Sequence, residues 1–598
     1  MCAHCRRVLT LSTIASVLGA LPRSTAMDVV RVETRTDAAV VKYGVTGTGV
    51  VVAILDRGID WSHPDFINPD GTTRIKWLLD QTGQNLCPGN PPAVQYSEAQ
   101  INVALFGGPA IDTRDAFGHG TVTTGIAAGN GRAFADGRYR GLAPGADLII
   151  VKVVSEGAPA HGSEPAETPF QGCIEEALNW LDVKLSALGQ PCVALINSGV
   201  QWGPIDGTSA VSRNIDQVFG EDRQGRVYVA ASGDEGNLPN HAAGTFDNIS
   251  DTVVIFTKNT SGATYLQMWY TGTRPARITF TSDDGTVVGP VGPGGSLSQN
   301  GVSIFQYNPG QEFYPWRSTS GDRAVWISVT GHSGGGSITI RGTTTGPGMF
   351  DLYSPDFTNA MPLNDHLVTS TLTDYASTHS AIVAGAHVAR NAYTDINGFV
   401  QFVNGQGSAG ELWAHSSAGP TRDGRVHGVD VTAPGHNCFA AYAPRSYWAE
   451  FTWNLIQDGG GWYGRGGATS GSAPIVVGAV ALMLDKCPRI TARQARQILH
   501  DTAVSDSNTL ATPNPEWGYG KLDVLAALDE VHAFCVGDGN GDGHRDLADH
   551  LTFTQCFGGP AYKLAGGDDC RDIFDFDLDS DVDLTDWGEF QRIFAAAE

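Results

Sequence analysis

The chain has 598 residues, too many for one small core, and its 41% apolar content with 75 glycines describes a loop-rich globular protein, not a fibrous or disordered one. A net charge of −25 argues against nucleic acid or an anionic membrane as a partner. Beyond residue 21 no stretch holds about eighteen uninterrupted apolar residues, so no helical membrane span is expected.

At the N-terminus, Arg6 and Arg7 precede an uncharged, mostly apolar stretch over residues 8–21, and the small residues Ser24 and Ala26 stand before Met27. This reads as an export signal over residues 1–26, which implies a secreted protein. Eight cysteines remain beyond it: Cys87, Cys173, Cys192, Cys438, Cys487, Cys535, Cys556 and Cys570. An even number in an exported chain permits disulfides, and Cys556 with Cys570 is the preferred pair. Cys173 and Cys192 flank a helical pattern whose ends lie roughly 20 Å apart, so they are poor partners.

The first strong element is "GTGVVVAILDRGID", a strand over residues 50–55, apolar on both faces as a central parallel strand should be. It stops at Asp56, where open α/β sheets bind ligands, although a lone Asp there is more often a turn or capping residue. Next, "DAFGHGTVTTGIAAGNG" sets His119 between two glycines ahead of a small-residue helix over about residues 121–128. The H-E-x-x-H spacing is missing, so zinc is not expected there. "VYVAASGDEGN" is a buried strand ending in a turn that holds Asp234 and Glu235. Residues 250–362 carry short alternating strands between Gly- and Pro-rich turns, the pattern of an inserted β-sandwich. In "GRGGATSGSAPIVVGAVALML", Ser470 and Ser472 precede Pro474, placed at the first turn of a buried helix. Both serines could be caps, or one could be a nucleophile in the positive field of the helix start.

The tail is a separate unit, with thirteen Asp against three basic residues between positions 538 and 586. "DGNGDGHRDLAD" places Asp538, Asn540, Asp542, the His544 carbonyl, Asp546 and Asp549 at calcium-loop positions 1, 3, 5, 7, 9 and 12. "DFDLDSDVDLTD" repeats the pattern 37 residues later with Asp575, Asp577, Asp579, the Asp581 carbonyl, Asp583 and Asp586. Two loops in register point to bound Ca2+.

An acid, an imidazole and a hydroxyl at three Gly-rich junctions are the parts of an activated nucleophile, in the chain order Asp, His, Ser. With "AILDRGID", "GHGT", "GLAPGADLIIVKV", "SSAGPTRDGRVHGVDVTAPG", "GATSGSAP" and "WGYGKLDVLAAL", the chain resembles the subtilases over residues 37–531. The resemblance implies an α/β fold, a parallel sheet flanked by helices, and a secreted serine endopeptidase acting on protein or peptide substrates. It assigns Asp56, His119 and Ser470 to the catalytic triad, Ser470 over Ser472 because it lies four residues before Pro474. No cofactor is needed for that chemistry. The insert resembles a jelly roll found in some bacterial subtilases. The tail, residues 535–598, resembles a dockerin, a small EF-hand-like helical module, and implies a cohesin-like or cell-surface partner.

The chain also departs from the family. Asp234 stands where an Asn normally donates to the oxyanion, Val122 replaces a second His, and Gly471 replaces the usual Met. "ALINSGVQWG" lacks the usual Ser-Leu-Gly, and the linker before the first strand has no room for an inhibitory propeptide. The competing expectation is therefore a catalytically weak or inactive binding protein on the same scaffold.

Overall fold

The computed structural model describes residues 28–82, 93–199, 201–355, 360–425, 428–538, 547–556, 573–576 and 582–596. The expected export signal, Cys87 and Cys570 lie outside them. So do Asn540, Asp542, His544, Asp546, Asp577, Asp579 and Asp581.

Eight strands make one sheet: β1 (Val51–Asp56), β2 (Ile75–Asp80), β3 (Val94–Ser97), β4 (Asp147–Lys152), β5 (Cys192–Ile196), β6 (Arg226–Ala231), β7 (Ala381–Val388) and β8 (Val431–His436). Their order is β8-β7-β6-β5-β1-β4-β2-β3, and only the β2–β3 pair is antiparallel. All six residues of β1 are buried because the sheet is covered on both faces. Val52 and Ile54 point into one core with two helices, α1 (His119–Ala128) and α2 (Thr469–Lys486). Val51, Ala53 and Leu55 point the other way, against the helices Ile174–Leu188 and Ala210–Phe219.

The segment before β1 is not a bare linker. Helices Asp28–Glu33 and Thr36–Tyr43 bury Val30 and Ala39 in the main core. Arg35 and Lys42 pair with Asp523 and Asp529 near the far end of the chain. A disulfide between Cys487 and Cys535 joins the end of α2 to the helix Val524–Cys535. Cys173 and Cys556 are also disulfide-bonded, while Cys192 and Cys438 are buried free thiols.

Between β6 and β7 the chain builds two further antiparallel sheets. One has four strands, Thr252–Lys258, Gly334–Gly342, Ala276–Ser282 and Val287–Val291. The other has six and begins at His241, upstream of the expected boundary, because His241–Phe246 pairs with Gly348–Tyr353. Both sheets feed one apolar cluster that includes Phe246, Phe256, Phe280, Ile327, Ile338 and Phe350. Arg422 clamps this unit to the main body, bonding Asp322 and Asp351 of the insert at 2.8 and 2.7 Å. At the C-terminus, helices Leu547–Cys556 and Leu584–Ala596 close over Phe553, Phe574 and Phe590.

Candidate active site

Asp56 ends β1 and its side chain is fully buried. His119 is the first residue of α1, two residues earlier than the sequence pattern placed the helix. The early start has a cause in Asp115, whose carboxylate accepts from Gly118 N at 2.7 Å and from Thr121 N and Oγ1 at 2.8 Å. These are the orphan donors of a helix N-terminus. Gly120 lets the helix seat against the strand end, since a Cβ there would lie 2.0 Å from the Gly58 carbonyl oxygen. The result is an imidazole whose Nδ1 lies 2.8 and 2.9 Å from the two Asp56 oxygens.

Ser470 is the second residue of α2, so Pro474 sits inside the helix and not in its first turn. Proline has no N–H to offer the carbonyl four residues back, which is that of Ser470. Asn197, just past β5, replaces the missing donor: its Nδ2 donates to Ser470 O at 3.0 Å and to Thr123 Oγ1 at 2.8 Å. The two candidate serines separate cleanly. Ser472 is buried and donates to Ala433 O at 2.9 Å, whereas Ser470 lines a cleft of about 1110 Å³ together with His119. Among the described residues no hydrogen bond links His119 to Ser470. Ahead of the helix, Ala468 has φ 63° and ψ −168°, a conformation costly for any residue but Gly. His436 holds it by accepting from Ala468 N at 3.1 Å through Nδ1. Burial, with Arg465 nearby, depresses His436 to about 4, so it stays a neutral acceptor.

The charges around the pair are arranged in sequence. Burial raises Asp56, but the neighbouring His119 and Arg57 outweigh it and hold its carboxyl below the usual range. Arg57 donates its backbone N–H to Asp56 Oδ1 at 2.6 Å, and its Nη1 stands 3.4 Å from both Asp56 Oδ1 and His119 Nδ1. Glu156 takes the other side of the guanidinium through both carboxylate oxygens. Across the cleft, Asp234 Oδ1 accepts from Thr469 N at 3.1 Å and Thr469 Oγ1 at 2.6 Å. Burial pushes Asp234 up despite those bonds. Its neighbour Glu235 is buried and, through burial and the charge of Asp234, is raised to about 8.

The profile of the subtilase family matches residues 47–520. The chain belongs to the subtilase family. It is 30% identical over 194 residues to subtilisin Savinase of Lederbergia lenta, a match covering 32% of this chain and 51% of that one. It is 26% identical over 175 residues to the minor extracellular protease Vpr of Bacillus subtilis (strain 168), covering 29% and 18%. The chain thus spans about half the length of the first relative and less of the second. The solved Clostridium perfringens CspB protease shares the fold, with a TM-score of 0.64 and 21% identity over 84% of this subtilase and 97% of that chain.

Two departures from the family now have a local explanation. A Cβ at Gly471 would meet the Gly435 carbonyl oxygen at 2.3 Å, so β8 and α2 approach too closely for a side chain. Val122 is buried in the core shared by α1 and α2, and it borders the cleft. Asn197, Arg57, Glu156 and His436 were not singled out from sequence. Their signal lies in contacts spanning up to 273 residues, which no local motif carries.

In the tail, Asp549 and Asp586 are fully buried in the first turns of their helices, and Asp538 and Asp575 are nearly so. Among the described residues no three His, Cys, Asp or Glu side chains gather as a metal site. Asp586 accepts from Phe576 N at 2.6 Å and from Asp583 N at 2.7 Å. Asp583 in turn accepts from Thr585 N at 2.6 Å.

Proposed function

We propose that this subtilase is a secreted serine endopeptidase that hydrolyses peptide bonds through Asp56, His119 and Ser470. The reading rests on the 2.8 Å Asp56–His119 pair beside a cleft that Ser470 also lines. Ser470 Oγ attacks the scissile carbonyl while His119 Nε2 takes its proton, and Asp56 stabilises the imidazolium. The imidazolium then protonates the leaving amine, and water releases the acyl group by the same route. Incubation with an unfolded protein substrate should yield new N-termini with the wild type and none with Ser470→Ala. Equal cleavage by both would overturn the assignment.

A weakly catalytic binding protein is the second reading, and Asp234 favours it, because an ionised carboxylate at the oxyanion position accepts only and repels the developing charge. In either case the two sheets between residues 241 and 353 are an inserted β-sandwich. The tail is a dockerin-like module in which the paired loops hold Ca2+ and present the protein to a cohesin-like or cell-surface partner. Without the metal the clustered carboxylates repel, so chelator should expose the region beyond residue 538 to added protease. Unchanged resistance with and without Ca2+ would count against this role.

A further inference from the structure

The insert reaches the cleft. Between its strands Val302–Gln306 and Arg323–Val329 runs a loop carrying Phe313 and Trp316, which line the cleft with Trp326 of the second strand. The loop is fixed to the main body. Tyr314 Oη accepts from Glu175 N at 3.3 Å, Thr319 N donates to Thr208 O at 3.2 Å, and Ser318 and Thr208 hydroxyls are 2.7 Å apart. The main body meets it with aromatic rings of its own. Trp202 stacks on Trp326 at 4.2 Å and 14°, with Phe313 4.5 Å from Trp326 on its other contact. Gln267 of the insert accepts from Gly203 N at 2.8 Å, which fixes the backbone beside Trp202. Trp316 stacks near Tyr375 at 6.4 Å, and Thr373 N donates to Ser232 O at 3.1 Å, setting that segment beside the Asp234 turn.

The division of chemistry along the cleft is informative. Its charged groups, Arg57, Glu156, Asp234, Glu235 and Arg465, all come from the subtilase body, while the insert contributes no charge. Phe313 is 39% exposed, a large apolar side chain kept in water on a surface continuous with Ser470 and His119. Concave sites that are already ordered bind apolar groups without an ordering cost.

We propose that the insert supplies a substrate subsite: Phe313, Trp316 and Trp326 form with Trp202 and Tyr375 an aromatic wall that takes a large apolar side chain of the bound peptide. The assignment rests on the peptidase reading for its occupant, an extended peptide crossing Ser470. It gives the insert a role in substrate choice. A side chain of Phe or Leu buries apolar area on the wall that Ala does not, and Asp would be desolvated there without a partner.

The test separates this subsite from the chemistry. Peptides identical except for one residue, Ala, Leu, Phe or Asp, placed at successive positions, are titrated against full-length Ser470→Ala protein, which binds without turnover. At one position Phe and Leu are expected to bind about ten- to a hundredfold more tightly than Ala, with Asp weakest. Adding Phe313→Ala or, independently, Trp202→Leu should reduce that preference to about threefold or less. Val253→Ala, on the outer side of the insert, should keep it. Equal preference with and without the Phe313 and Trp202 changes, in proteins with unaltered circular dichroism, overturns the subsite. So does the absence of any discrimination between Phe and Ala. Failure of the peptidase reading appears elsewhere, as absent cleavage by the wild type, and leaves this binding result interpretable.

Discussion

Asp234→Asn should accelerate this subtilase, and by an amount that depends on pH. Oδ1 of Asp234 already accepts from both donors of Thr469, at 3.1 and 2.6 Å, and an Asn carbonyl oxygen would keep those bonds. The change therefore exchanges the remaining oxygen for an NH2 donor with little cost to folding. One oxyanion donor is worth about 10²–10³ in turnover, or about 2.7–4 kcal/mol. Burial raises the Asp234 carboxyl above its ordinary value, so the protonated, donating form is full at low pH and is lost as pH rises through the raised value. Glu235, ionising at about 8, adds a second negative charge beside it and steepens the alkaline loss. His119 imposes the opposite requirement, since it must be neutral to take the proton. Wild-type kcat/KM for a fluorogenic peptide should therefore fall as pH rises through the raised Asp234 value, whereas Asp234→Asn should show no such loss. The gain should grow with pH and approach about 10²-fold above the raised Asp234 value. A variant no faster than wild type, or faster by one factor at every pH, would refute the reasoning.

Glu235→Gln should stabilise the fold increasingly with pH. A folded value of about 8 against an ordinary value of about 4.3 means that stability is lost as pH climbs between those limits, a few kcal/mol in all. The variant's Tm advantage should widen from pH 5 to pH 8.5, and an advantage independent of pH would contradict the assignment. Glu156→Gln removes one of the two carboxylates that face the Arg57 guanidinium, which stands 3.4 Å from His119 Nδ1, and leaves Asp56, with Asp234 across the cleft and Asp115 behind. Losing the Glu156 negative charge opposes imidazolium formation, so the acid limb of kcat/KM should move down by about half a unit to one unit. An unmoved limb would argue against it. Cys535→Ser opens a bridge between residues 48 apart in sequence and should cost about 4 kcal/mol in unfolding experiments, with a loss under about 1 kcal/mol counting against a structural role.

How far the sequence carries depends on whether a feature is local. β1 is legible because six consecutive buried residues leave an uninterrupted apolar run, and Asp56 stands where that run stops. His119 and Ser470 are legible because close backbone approach demands the small residues around them, Gly120 against Gly58 and Gly471 against Gly435. The helices start earlier than the pattern suggests, by two residues at His119 and by more at Ser470, since Asp115 and Asn197 satisfy backbone groups from outside the helices they serve. Arg57 carries no local signal, because its partner Glu156 is 99 positions away. His241–Phe246 joins the insert although its small residues give little strand signal; pairing with Gly348–Tyr353 supplies what local propensity does not. The Cys487–Cys535 bridge likewise follows from the packing of two distant helices, which no spacing rule encodes.

Ser470 as the nucleophile is the claim on which the rest depends, and a fluorophosphonate tests it without knowledge of the substrate. Intact-mass analysis of the full chain after incubation should show one added phosphonyl group, mapped to Ser470, absent from Ser470→Ala and retained in Ser472→Ala. The absence of labelling in the wild type at every pH from 5 to 10, or labelling that survives in Ser470→Ala, would contradict the account.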